Sequence, residues 1–308
     1  MSSHHTAIAP LPRPTVYTGL AVGLVAVSSS AVLATYVIGD PPVLRLALGI
    51  AFWRCFGGAV ALAPFAWRVH RSHPIDRVTA SALLASGAFL SVHFALFLGS
   101  LAFTTVGSST TLATASPIFV ALGGIWFLQE RPTRRTWIGM GVTTLGAFAI
   151  GAADLADLEL GPRALLGDVM AFGSALAVTG YLLIGRGVRA RVHATTYSAV
   201  VYAAAAVLLL VVGVATGTPL SGYSGGQWAA IVGIIVGPQL LGHTVFNTLM
   251  STVPATLISI VVLAEPVAAT ILAWIFLEQL PASLFWFAAP IVIVGVGIAS
   301  IRPRRPVS

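Results

Sequence analysis

Apolar residues run along this chain in blocks of twenty or more, set apart by short polar interruptions. A helix rising 1.5 Å per residue needs about 20 such residues to cross a bilayer. Ten blocks meet that length, at 15–38, 43–67, 78–101, 105–128, 135–153, 165–186, 195–216, 228–250, 254–277 and 283–301. The pattern predicts an all-α polytopic membrane protein with ten transmembrane helices. Gly and other small residues recur inside the blocks, as expected where helices approach closely with no hydrophobic force between them.

Two of the stretches are versions of one another. Residues 115–146 and 264–295 align without a gap at a spacing of 149. They share Ala115/Ala264, Pro117/Pro266, Phe127/Phe276, Leu128/Leu277, Pro132/Pro281, Trp137/Trp286 and Gly146/Gly295. The first copy's loop carries Arg131, Arg134 and Arg135, and the second copy's loop carries no basic residue. Five segments per half is an odd number, so the second half starts from the other side of the membrane. The expected fold is two inverted five-helix repeats, a plan common among transporters. The first unit spans 15–153 and the second 165–301. Between them lies an external acidic linker, 154–164, and the ends are cytoplasmic tails, 1–14 and the basic 302–308.

Composition widens this from segments to the whole chain. It is 57% hydrophobic and 8% charged, with a mean hydropathy of +0.95. A soluble domain would carry roughly a quarter charged residues, so a soluble domain with an anchor is excluded. The net charge of +7 would suggest nucleic acid in a soluble protein. Here thirteen of the sixteen basic residues, all Arg, fall on one side of the alternating segments. They are Arg13, Arg68, Arg71, Arg77, Arg131, Arg134, Arg135, Arg186, Arg189, Arg191, Arg302, Arg304 and Arg305. The partner is therefore the anionic cytoplasmic leaflet of the lipid bilayer, with no nucleic acid. Both termini are expected in the cytoplasm. The first apolar run is too long for a signal-peptide core and is read as a retained helix. Cys55 is the single cysteine, which excludes a disulfide framework.

Ionisable groups inside a bilayer cost several kcal/mol unless paired or hydrated, so each one is a functional candidate. Four qualify: Arg54, His93, His243 and Glu265. Arg54 and Glu265 lie near the centres of segments two and nine, where they either form an internal pair tying two helices or line the substrate path. His93 and His243 occupy equivalent places in the two halves once a one-residue gap is allowed. They read either as hydrogen-bonded structural residues or as groups that titrate near physiological pH. Asn247 sits one turn after His243 on the same face. No third ligand accompanies either His, so no metal is expected, nor any cofactor. Pro117 and Pro266 interrupt the midpoints of segments four and nine and free backbone carbonyls there. Around Pro117 the polar run includes Thr111 and Ser116, which read as packing glue or as cavity lining. Phe97 and its neighbours near the histidines are placed to meet an apolar ligand.

The strings AFWRCFGGAVALAP, HFALFLGSLAFTTVGSSTTLATASPIFVALGGIWFLQERPTRRTWIGMGVTTLGA and GHTVFNTLMSTVPATLISIVVLAEPVAATILAWIFLEQ resemble the EamA-type family of the drug/metabolite transporter superfamily. The resemblance covers nearly the whole chain as two units. The second copy departs slightly, because Glu278 falls one position early relative to Glu130. The resemblance implies ten helices around a central cavity and export of small metabolites such as amino acids.

The expected activity is therefore metabolite export by alternating access, in the cytoplasmic (inner) membrane of a bacterium, by a monomer or homodimer. Two versions stay open. One is a proton-coupled relay through Glu265, His93 and His243. The other is an uncoupled path in which Arg54 and Glu265 recognise a zwitterionic or aromatic solute. The chain has no GxSxG, HExxH or acid pair beside a nucleophile, so it is not expected to be an enzyme. It also lacks a filter-like sequence or ring of like charge, which argues against a channel.

Overall fold

The computed structural model describes residues 11–39, 42–72, 75–156, 162–281 and 283–300. Among these residues every regular element is a helix. The first half contains α1 (Arg13–Ile38), α2 (Leu44–Ser72), α3 (Arg77–Ser100), α4 (Val106–Ala113), α5 (Pro117–Leu128) and α6 (Arg134–Ala156). The second half contains α7 (Pro162–Arg189), α8 (Ala194–Thr216), α9 (Gly225–Ile234), the π-helix π1 (Ile235–Thr244), α10 (Val245–Leu249), α11 (Ala255–Val262), α12 (Glu265–Leu277) and α13 (Phe285–Ser300). Eight stretches are long and apolar enough to cross a membrane by length and composition. α6 and the shorter apolar α13 accompany them. The tail residues 1–10 and 302–308 lie outside the described residues. α6 runs to Ala156 and α7 starts at Pro162, so both helices reach into the expected linker 154–164, of which residues 157–161 lie outside the described residues.

Segments four and nine, expected as single helices, are each broken in two. α4 stops at Ala113 and α5 starts at Pro117, while α11 stops at Val262 and α12 starts at Glu265 with Pro266 behind it. Proline has no N–H to give to the preceding turn and its ring crowds the carbonyl four residues back. Threonine hydroxyls take up backbone carbonyls at the first break: Thr110 Oγ1 donates to Val106 O at 2.7 Å and Thr114 Oγ1 to Thr110 O at 2.8 Å. Both second pieces end on a left-handed residue, Gln129 (φ 54°) and Glu278 (φ 57°). Their N–H groups donate to Gly124 O and Ala273 O, as do those of Glu130 and Gln279. The backbones therefore match in the ungapped register. Glu278 is the counterpart of Gln129, and Glu130 is the counterpart of Gln279.

The helices that carry His93 and His243 do not keep one register along their length. The N-caps Asp76 and Ser224, which accept from Thr79 N and Gln227 N, are 148 positions apart. At the other end, Ser100 O accepts from Phe103 N and Thr104 N, and Leu249 O accepts from Thr252 N and Val253 N, 149 positions apart. The second copy thus holds one extra residue, and the widened π turn around Pro238 absorbs it.

Pairing between helices repeats across the halves. α2 packs on α8 and α6 on α13, while α3 packs on α7 and α1 on π1. The α6–α13 contact is a glycine seam. A Cβ on Gly139 would meet Ala299 N at 2.6 Å, and one on Gly146 would meet Val292 N at 3.0 Å. One on Gly295 would lie 2.5 Å from Thr143 N. Residue numbers rise along one helix as they fall along the other, so the two run antiparallel with their backbones nearly touching.

Candidate functional site

A narrow cavity of about 60 Å³ lies among α1, α2, α3, α7, π1, α10 and the two broken helices. Of the residues expected to carry chemistry, Arg54, His93, Phe97, Ser116, His243 and Glu265 all line it. Thr111, Pro117, Asn247 and Pro266 stand off its wall. The two prolines open the second halves of the broken helices. Thr111 is buried on α4 with its hydroxyl unpartnered. Asn247 is fully buried behind the wall: its Oδ1 accepts from Tyr181 OH, and its Nδ2 donates to Ser198 Oγ at 3.0 Å and Tyr202 OH at 3.4 Å.

Arg54 is 1% exposed and held by neutral partners. Its Nε donates to Gln239 Oε1 at 2.9 Å and its Nη1 to Ser30 Oγ at 3.0 Å. The guanidinium lies 3.7 Å above the Phe94 ring centroid, a cation–π contact. No contact within 4.0 Å joins it to Glu265, so the internal ion pair is not formed. Glu265 is the first residue of α12, where the helix macrodipole favours negative charge. Ser116 is its counterpart at the other break, 149 positions earlier. The cavity thus holds a guanidinium from the first half and a carboxyl group from the second, not in contact with each other.

Aromatic rings form the rest of the wall. His93 stacks on Phe97, with centroids 6.1 Å apart and planes 5° from parallel. His243 sits 6.3 Å from His93 and edge-on to Phe94 at 5.1 Å. His93 Nδ1 is 3.0 Å from Ser174 O. A carbonyl only accepts, so Nδ1 carries the hydrogen and Nε2 is left as the acceptor.

Sequence reasoning passed over three participants. Gln239, which holds Arg54, looks unremarkable in an apolar run; the adjacent Pro238 was the available signal. Tyr181 lines the cavity from α7 and ties it to Asn247. Loop counting places Arg189 at the cytoplasmic surface, yet α7 extends to it and the residue is 2% exposed. Arg186 is likewise helical and pairs with Glu130 at 2.8 Å.

A multi-pass helical bundle enclosing a cavity with opposite charges, between broken helices, is the architecture of a membrane carrier. The comparisons agree. The EamA-like transporter family matches twice, over residues 16–152 and 165–301, and the chain belongs to that family. It is also 25% identical over 224 residues to the Bacillus subtilis (strain 168) uncharacterized transporter YwfM, covering 68% of this chain and 70% of that protein. A solved crystal structure superposes with a TM-score of 0.73, covering 94% of this chain and 97% of the other at 18% identity, which bears on the fold alone.

Proposed function

We propose that this transporter exports small zwitterionic metabolites of the amino-acid class by alternating access, through ten spans built as two inverted five-helix halves. The basic loops support placing both termini in the cytoplasm of a bacterium. One observation carries the substrate reading. Arg54 and Glu265 present opposite charges to one cavity without touching each other. An unpaired charge in a membrane interior is costly, and a solute bearing both an ammonium and a carboxylate satisfies the two at once. The flanking rings of Phe94, Phe97, His93 and His243 suit an apolar or aromatic side chain on that solute.

A resistance screen tests the substrate class. Cells overexpressing the chain are challenged with amino acids, their analogues, and matched amines and acids lacking one charge. Resistance to zwitterions alone is expected; equal resistance to the singly charged compounds would sink the reading.

Proton coupling is a second reading, favoured by Glu265 taking no hydrogen bond from the protein while sharing the cavity with two histidines. In proteoliposomes with an imposed pH gradient, Glu265→Gln is expected to slow flux about tenfold and remove its dependence on the gradient. Wild-type speed with an unchanged pH response ends the relay. Flux indifferent to the gradient in the wild type points instead to the uncoupled path.

A further inference from the structure

The two halves differ most at one end of the cavity. On the last turns of α7, Tyr181, Arg186 and Arg189 all donate to α10. Tyr181 OH reaches Asn247 Oδ1, Arg189 Nε reaches Asn247 O at 2.6 Å, and Arg186 Nη1 reaches Met250 O at 2.6 Å. The two carbonyls that meet the arginines, those of Asn247 and the capping Met250, lie at a helix C-terminus, where the macrodipole favours cations. Arg186 Nε also holds Glu130, which draws in the end of α5 from the first half. Arg189 closes on Val192 O as well, so its buried charge is met by carbonyls rather than a carboxylate.

The counterparts of these side chains at the opposite end are apolar. At the 149-residue spacing, Tyr181 and Arg186 correspond to Val32 and Val37 on α1, and Asn247 and Met250 to Leu98 and Leu101 at the end of α3, while the counterpart of Arg189, position 40, lies outside the described residues. All four of these first-half residues are buried. Polar contacts at that end come from other elements: Gln227 Nε2 donates to Val37 O at 2.9 Å, and Thr104 Oγ1 and Ser108 Oγ donate to Asp168 Oδ1 at 2.9 and 2.8 Å. Among the described residues no side-chain hydrogen bond joins α1 to α3. The swapped order of Gln129–Glu130 and Glu278–Gln279 fits the same contrast. Glu130 has Arg186 to meet, whereas the residue that corresponds to Arg186 in the first half is a valine.

We propose that the α7–α10 seam is the cytoplasmic gate of the transporter, closed by directional polar contacts that the corresponding first-half residues cannot make. A guanidinium donates from a fixed planar fork, so it seals only in a narrow range of geometries. Opening the seam requires hydrating two guanidinium groups and their carbonyls. At the other end the corresponding Val32, Val37, Leu98 and Leu101 offer no side-chain donors. The two barriers therefore depend on different residues and can be lowered separately. The assignment of sides rests on the orientation proposed above.

The experiment replaces Cys55 by alanine and places one reporter in the cavity wall, Ser259→Cys. Its reaction with a membrane-impermeant maleimide is timed in inside-out and right-side-out vesicles. No substrate enters this assay, so failure of the transport reading and failure of the gate are told apart. Adding Arg189→Gln is expected to raise labelling from the cytoplasmic face at least tenfold and change the outer rate less than twofold. Tyr181→Phe, which removes one oxygen and keeps the ring, is expected to raise it about threefold. It carries the test if the arginine variant does not fold. Equal acceleration from both faces, acceleration only from the outer face, or no change in either variant would overturn the gate.

Discussion

Arg54→Gln is expected to reduce transport of the solute found by the resistance screen by about 100-fold, with the protein still folded. Two effects add. The cavity loses its cation, leaving the carboxylate of Glu265 and that of any bound solute without a counter-charge. In addition, Gln239 Oε1 and Ser30 Oγ lose the donors that reach them at 2.9 and 3.0 Å. Hydrogen bonds to charged groups contribute roughly 1.5–3 kcal/mol, and a 100-fold loss corresponds to about 2.7 kcal/mol. Arg54→Lys separates charge from shape. Lysine keeps the cation but cannot lie flat on Phe94 while reaching both Gln239 and Ser30, so a loss near tenfold is expected. Flux in proteoliposomes and melting in detergent, measured on the same preparations, decide it. Full activity in Arg54→Gln would remove Arg54 from the path, and full activity in Arg54→Lys would reduce its role to charge.

The second large effect concerns the pairing of α6 with α13. Gly295→Leu is expected to destabilise the fold by at least about 3 kcal/mol, since overpacking by single methylenes already costs 1–3 kcal/mol. Here the obstruction is backbone: the new Cβ alone would sit 2.5 Å from Thr143 N and 2.9 Å from Gly139 O. A backbone atom cannot swing aside as a side chain can, so the helices have to separate. Gly139→Leu is expected to behave alike. Gly141 and Gly297 are the controls, on the same two helices with nothing within 4 Å of an added Cβ. Leucine there is expected to be neutral or mildly stabilising through helix propensity. Thermal unfolding read by size-exclusion recovery is the measurement. A fall on the order of 10 °C is expected for the seam variants; equal behaviour of seam and control variants would refute the account.

Much of this molecule was legible in its sequence, and the limit has a physical origin. Block length locates helices that cross lipid because the bilayer demands length and apolarity, and little else. Matched residues such as Pro117 and Pro266 mark the discontinuities because proline acts locally. Which face a side chain presents was harder to read. In a soluble helix the apolar stripe names the buried face, but in a bilayer both lipid and protein neighbours are apolar and the contrast fades. Gln239 thus vanished into an apolar run, although it holds the cavity's arginine. Arg189 misled in the other direction. Loop counting gives it to the cytoplasmic surface, whereas three more residues of helix bring it to the carbonyls of Asn247 and Val192. Intramembrane charge located Arg54 and Glu265, but whether they touch depends on side-chain placement that no spacing rule gives.

The glycine seam also bears on motion. Two rods in backbone contact cannot approach any closer, so in the alternating access proposed above the α6–α13 pair would serve as the fulcrum. Rocking of one half against the other would turn about it, with displacement growing with distance from it. The bulk of the travel would then fall to helices remote from that axis, and a small rotation would part the ends of α7 and α10. Stiffening the fulcrum would leave the lever intact; loosening it would dissipate the stroke before it reached the gate.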